Sequence, residues 1–222
     1  MNGVIRPANW PYSNGLEAGF GDRSSSVDQA VVVRVRQVHG TTVIRADALE
    51  PGVVHDLAGD ALVATNPGIV AAVVTADCVP ILLVEPEARW AAAVHAGWRG
   101  TLAGIVSSTL AVAREDGIVP ERMLAAIGPA IGDCCYEVGD DIAESFVAAG
   151  LPVTGDSGRE KATLNLRACN EHLLKSAGLH PSRIQICGPC TRCRVQRYHS
   201  YRADRDGAGR QLSWIGWAAR SP

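Results

Sequence analysis

Ile69-Val70-Ala71-Ala72-Val73-Val74-Thr75-Ala76-Asp77-Cys78-Val79-Pro80-Ile81-Leu82-Leu83-Val84 holds two apolar runs separated by an acid and a thiol. Each run is short, and the first is rich in β-branched residues, so both read as strands. Residues 69–74 are apolar throughout, the pattern of a central strand covered on both faces. A third run at 90–95 leads into Gly97-Trp98-Arg99-Gly100-Thr101. Asp77, Cys78, His95 and Arg99 therefore stand where buried strands begin or end, and such turns often carry function.

Outward from this centre, residues 31–38 and 42–45 also read as strands, the first alternating toward its end as a half-buried strand does. Later strands are expected at 123–127, 184–187, 198–201 and 212–217. Leu102, Ile105, Val106, Thr109, Leu110 and Ala113 recur at helical spacing behind Gly100-Thr101, and Gly117 ends that run. Leu166, Cys169, Leu173, Leu174 and Ala177 do the same between an Asn165 cap and Gly178. Residues 139–149 read as a third helix and 154–161 as a polar loop. No repeat, linker, G-x-G-x-x-G or P-loop pattern divides the chain. Strands with inserted helices point to an α+β fold, a single layered domain over residues 1–222.

Composition bounds the function. Of 222 residues, 47% are hydrophobic and 20% charged, enough for a core and against wholesale disorder. Aromatics are only 5%, so that core is built from Val, Leu, Ile and Ala. A net charge of −2 argues against a nucleic-acid or anionic-membrane binder. The N-terminus lacks a secretory pattern, and no apolar run approaches the ~20 residues that span a bilayer. Seven cysteines, odd in number and including vicinal Cys134-Cys135, do not suit a secreted disulfide framework. A cytoplasmic protein with reduced thiols is expected, as a monomer or homodimer.

Three segments carry the chemistry: Gln37-Val38-His39-Gly40, Ala76-Asp77-Cys78-Val79-Pro80 and His95-Ala96-Gly97-Trp98-Arg99-Gly100. Their reactive residues are too far apart to form a local ligand motif. Taken singly they fit two hydrogen-bonded histidines and a buried thiol equally well. Ile127-Gly128-Pro129, Cys134-Cys135-Tyr136-Glu137-Val138 and Ser200-Tyr201-Arg202-Ala203-Asp204 follow in order.

This ordered set resembles the YfiH-like family, also called the laccase-domain or polyphenol-oxidase type. The resemblance runs from Gln37 to Trp217. It implies an α/β/α-type layered domain with a mixed sheet, similar to certain toxin deamidases. It also implies a metal held by His39, Cys78 and His95, zinc first and copper as the alternative. The implied activity is purine nucleoside phosphorylase on adenosine, inosine and methylthioadenosine, with adenosine deaminase beside it. Some members are called peptidoglycan editing factors, others copper-dependent phenol oxidases.

The residues can be set against these activities. Two imidazoles, one thiolate and a fourth open position are the pattern of a catalytic zinc, which lowers the pKa of bound water toward ~7. Phosphorolysis needs an anion site as well. Arg99, between Gly97 and Gly100 just before the expected helix, is the preferred phosphate ligand; a tight turn with an exposed arginine is the plainer reading. Asp77 is a candidate acid/base, or a group that caps the turn or orients a histidine ligand. It can face the same pocket as Cys78 only if the strand has ended or bulged there. Arg23, Tyr201 and Arg202 are candidate substrate contacts. The partners expected are a purine nucleoside and phosphate, with no nucleic acid and no membrane.

Rival readings stay open. Cys78 with His95 could be the nucleophile and base of a hydrolase or amidase acting on peptidoglycan precursors, and His39 discriminates because a dyad has no use for it. A blue-copper centre also uses two histidines and a cysteine, usually with an axial methionine, and the chain has only two methionines. Cys187-Gly188-Pro189-Cys190-Thr191-Arg192-Cys193 suggests a cluster or a zinc ribbon, but the ferredoxin continuation and a second C-x2-C pair are missing. A reduced structural loop is the preferred reading there, with a metal or a redox dithiol behind it. Between Arg23 and Gln37 the chain lacks about thirty residues that the resemblance leads one to expect, in a region where indels are tolerated; this bears on Arg23 and on nucleoside specificity more than on the metal ligands.

Overall fold

A computed structural model describes residues 3–153 and 161–219; the loop expected at 154–161 lies almost wholly outside them. Eleven strands among the described residues form two mixed sheets. The five-stranded sheet is ordered β1 (Leu16–Phe20), β11 (Gln211–Trp217), β6 (Val70–Thr75), β2 (Val32–Arg36) and β4 (Val54–Ala58). The six-stranded sheet is ordered β10 (Ile184–Ile186), β9 (Leu124–Ile127), β7 (Val79–Glu85), β8 (Trp90–Ala96), β5 (Ala61–Ala64) and β3 (Val43–Arg45). Antiparallel pairs β7–β8 and β6–β11 lie at their centres, and parallel pairs such as β2–β6 and β9–β10 make both sheets mixed.

Side-chain alternation decides how the sheets stack. In β7, Ile81 and Leu83 face a core shared with the helices, while Leu82 and Val84 face the other sheet. The helices α2 (Ile105–Glu115), α3 (Asp140–Ala148) and α4 (Leu166–Ser176) supply Leu110, Phe146 and Leu174 to the first core. The second core, with Phe20, Val33, Val73, Leu82 and Ile215, fills the space between the sheets. The α+β class with mixed pairing is as the sequence indicates. The expected α/β/α layering resolves as sheet, sheet and helices, because the five-stranded sheet covers the face where a second helical layer was expected.

Two local expectations are corrected. Residues 198–201 are not a strand. Ser200 caps the short helix α5 (Tyr201–Asp204) by accepting the Ala203 N–H, and its hydroxyl also reaches Asp77. The helix expected behind Thr101 begins earlier, as α1 (Trp98–Ala103), and breaks at Gly104, whose φ of 92° is left-handed, before α2 starts. Arg99 thus lies inside the first turn of a helix rather than before one.

Candidate metal centre

Three times the chain leaves the five-stranded sheet and enters the six-stranded one. The β2–β3 crossing carries His39, the β4–β5 crossing carries Asp60, and the β6–β7 crossing carries Asp77 and Cys78. Near the end of β8, His95 is paired in register with Pro80, and its amide bonds the Asp60 carbonyl at 2.7 Å. Ala91 and Ala93 face the inter-sheet core, so strand alternation turns His95 the same way. The ligand atoms of His39, Cys78 and His95 all lie within 4.8 Å of one another, and the two rings meet edge to face at 4.8 Å between centroids.

Backbone strain marks both turns. His39 has φ 61° and Asp77 has φ 85°, left-handed values uncommon for residues with a side chain. Asp60 holds the first: its Oδ1 accepts the His39 N–H at 2.8 Å and its Oδ2 the Gly40 N–H at 2.7 Å. Asp77 holds the second. Its Oδ1 accepts from the Thr191 hydroxyl at 2.6 Å, and its Oδ2 from the Ser200 hydroxyl at 3.0 Å and the Arg202 N–H at 2.7 Å. The strand has ended at Asp77, the condition for Asp77 and Cys78 to serve one cleft, and both line it.

Asp60, wholly buried, was not singled out in the sequence. Its Oδ1 also lies 2.8 Å from His95 Nδ1, which leaves Nε2 as the ring's ligand atom. The available signal was a carboxylate directly before the apolar run Ala61-Leu62-Val63-Ala64, since a buried charge must find donors.

Electrostatics suit a cation. Burial works against ionisation of the Cys78 thiol, but hydrogen bonds with His39 and His95 outweigh it and bring the thiol down to about 6. Burial also disfavours a charged His95, yet Asp60 and Cys78 raise it to about 9. Asp60 is held below the usual carboxylate range: burial opposes this, and the bonds from His95 and the Gly40 amide prevail. At Gly97, a Cβ would stand 3.0 Å from the His39 ring and 3.1 Å from the Cys78 sulfur, so a side chain there would press on two ligands. Two imidazoles and a thiolate are a donor set that zinc or copper accepts.

The three residues sit in a cleft of about 640 Å³. Arg99, Tyr201 and Arg202, the candidate phosphate and substrate contacts, line it, Arg99 with its guanidinium 4.3 Å from the Trp98 ring. Trp98, Tyr136, Arg205 and Arg210 line it too and were not singled out in the sequence; the two arginines follow α5, in the stretch between the segments 198–201 and 212–217 that were read as strands. Arg23 is not among the lining residues; it bonds the Tyr198 carbonyl and pairs with Asp204 of α5 at 3.2 Å.

Residues 22–218, which include every residue of this site, match the family described as multi-copper polyphenol oxidoreductase laccase. The chain belongs to this family. Among its relatives is a purine nucleoside phosphorylase of Deinococcus radiodurans, 40% identical over 187 residues that cover 84% of this chain and 70% of the relative. Adenosine deaminase RL5, from an unknown prokaryotic organism, is 38% identical over 165 residues, 70% of this chain and 61% of the relative. The crystal structure of the Bacillus licheniformis hypothetical protein YfiH superposes with a TM-score of 0.83 at 26% identity, covering 98% of this chain and 97% of that one. These likenesses bear out the resemblance carried by the ordered motifs. No helix of the described residues is long and apolar enough to cross a membrane.

Proposed function

We propose that this chain is a zinc-dependent purine nucleoside phosphorylase with adenosine deaminase activity, using His39, Cys78 and His95 as metal ligands. The observation that carries the reading is the convergence of those three ligand atoms within 4.8 Å in an arginine-lined cleft. The names of the relatives support the substrate class. When bound, zinc supplies a Lewis acid that activates water at neutral pH.

The chain's own residues do the rest. Arg99, Arg202, Arg205 and Arg210 bring four positive charges to one cleft, which suits a phosphate co-substrate, and a guanidinium fork binds such an anion bidentately. Trp98, Tyr136 and Tyr201 offer apolar faces for a purine ring. Asp77, with donors on both oxygens, acts as a positioning residue that holds the Cys78 turn and the Arg202 backbone together. Arg23 braces α5 through Asp204 and so acts on substrate at one remove.

The test is turnover of adenosine and inosine, with and without phosphate, beside elemental analysis of untagged protein. His39→Ala and Cys78→Ser should each lose one equivalent of zinc, and His39→Ala should lose turnover with it; copper in place of zinc would change the metal assignment. Full activity in His39→Ala with dead Cys78→Ser and His95→Ala would replace this reading by a Cys/His hydrolase. Arg99→Ala should raise the KM for phosphate roughly tenfold or more while deamination is much less affected, the loss of one charge-assisted contact. Equal losses in both reactions would remove Arg99 from the phosphate site.

A further inference from the structure

Four cysteines that no step above uses come together on the far side of Asp77. Cys134 and Cys135 lie in a turn closed by the Cys135 and Tyr136 amides, both bonded to the Gly132 carbonyl at 2.9 Å. Cys190 and Cys193 flank Thr191-Arg192, and the Thr191 amide bonds the Ala130 carbonyl at 3.0 Å. Two turns 55 residues and more apart in sequence are thereby joined side by side. The Cys193 sulfur is 3.6 Å from that of Cys134 and 3.4 Å from that of Cys135, and all four sulfurs lie within 4.8 Å of one another.

We propose that Cys134, Cys135, Cys190 and Cys193 form a second, structural metal site that binds one zinc ion through four thiolates. A tetrahedral zinc with Zn–S near 2.3 Å has sulfurs about 3.8 Å apart, and the sulfurs of this cluster stand close to that spacing. The cysteines of a cubane cluster sit on different irons and stand further apart than the ligands of one ion, which favours a mononuclear site over an iron–sulfur cluster. The missing second C-x2-C pair is supplied by the vicinal Cys134-Cys135, brought in by the fold; Cys187 of the louder sequence motif is left out and packs toward the inter-sheet core instead.

The surroundings are those of a ligand site. The Gly132 N–H donates to the Cys190 sulfur at 3.2 Å, a bond that favours thiolate. A Cβ on Gly132 would stand 3.2 Å from the Cys134 sulfur and 3.4 Å from the Cys190 Cβ, so a side chain there would press into the cluster. Binding would release four thiol protons to solvent and form four Zn–S bonds, with no electron moved. All four coordination positions are then filled by protein, which gives a structural rather than a reactive ion. Its effect on the cleft would be mechanical. Ile131 donates its N–H to the Asp77 carbonyl at 3.0 Å and Thr191 its hydroxyl to the Asp77 carboxylate, so the ion would pin from outside the two loops that hold the Asp77-Cys78 turn.

The experiment isolates this site from the first. The double variant His39→Ala/Cys78→Ser, purified untagged under reducing conditions, keeps all four cysteines and should retain one zinc per chain against two in the wild type. Its cobalt form should show intense sulfur-to-cobalt charge transfer and the visible bands of a four-thiolate tetrahedron. Cys190→Ser/Cys193→Ser should retain one zinc, held by His39, Cys78 and His95. No metal in the first variant, or a Cys134–Cys193 or Cys135–Cys193 disulfide persisting in the reduced preparation by mass spectrometry, overturns the proposal. Because the readout is metal content, it stands or falls apart from nucleoside turnover.

Discussion

A carboxylate without access to solvent needs donors on both oxygens, and Asp60 finds them in the His95 ring and the His39 and Gly40 amides. The bond to His95 Nδ1 fixes which ring nitrogen is free and which way the ring points. Asp60→Asn is therefore expected to weaken metal binding roughly 10- to 100-fold, read by competition with a chromogenic chelator; unchanged affinity would mean that packing alone orients the ring. Cys78 makes a pH prediction at the same scale. Its thiol is brought down to about 6 against burial by His39 and His95, so in metal-stripped protein the thiolate persists as pH falls and is lost through about 6. Alkylation of Cys78, followed by peptide mass spectrometry, should have its half-rise there, and His39→Ala should move that point upward toward the ordinary thiol range.

At the scale of elements, α4 shows how a sequence signal becomes support for the site. Asn165 caps it, its side chain accepting the Ala168 N–H at 3.1 Å. One turn on, the buried Asn170 amide donates to the Thr101 hydroxyl at 3.1 Å and so ties α4 to α1, the helix that bears Arg99. Asn165→Ala should cost about 1 kcal/mol in urea unfolding, the usual worth of such a cap, with metal content unchanged. The cap was legible because Asn before an amphipathic run has a local physical meaning. The break at Gly104 was not: the apolar period at Leu102, Ile105 and Val106 continues across it, and only the backbone at φ 92° divides α1 from α2.

For the whole molecule, the seam between the sheets is the structural centre. Leu82 is fully buried in it, and the crossings that deliver His39, Asp60 and Cys78 run along its end. Leu82→Ala should destabilise the protein by about 2–5 kcal/mol, the range for deleting a buried leucine side chain. At roughly 2–4 °C per kcal/mol for a chain of this size, the loss is visible as a clear drop in Tm. The zinc content of the folded variant should stay that of the wild type, since His39 and Cys78 come from the crossings and His95 from the end of β8, beyond the core position that Leu82 fills. Loss of metal in folded Leu82→Ala would show that core packing sets the ligand geometry more directly than the turns do.

The sequence by itself determined the buried strands around Ile81 and Val73 and the amphipathic faces of α2 and α4, because burial periodicity is a local property. It marked His39, Cys78 and His95 as reactive residues at strand ends, while their grouping as metal ligands came from the resemblance of the ordered motifs to a known family. Strand β4 went unread because it is largely exposed, with no apolar alternation to mark it. Residues 198–201 looked like a strand because nothing nearby in sequence announces that Asp77 takes up Ser200 and Arg202. Only the tertiary structure decided that three sheet crossings end at one place, that Asp60 stands behind His95, that Arg205 and Arg210 enter the cleft, and that Cys134 and Cys135 meet Cys190 and Cys193. Those are contacts between segments far apart in the chain. They depend on how two twisted sheets and a layer of helices stack, which the pattern within any one segment does not encode.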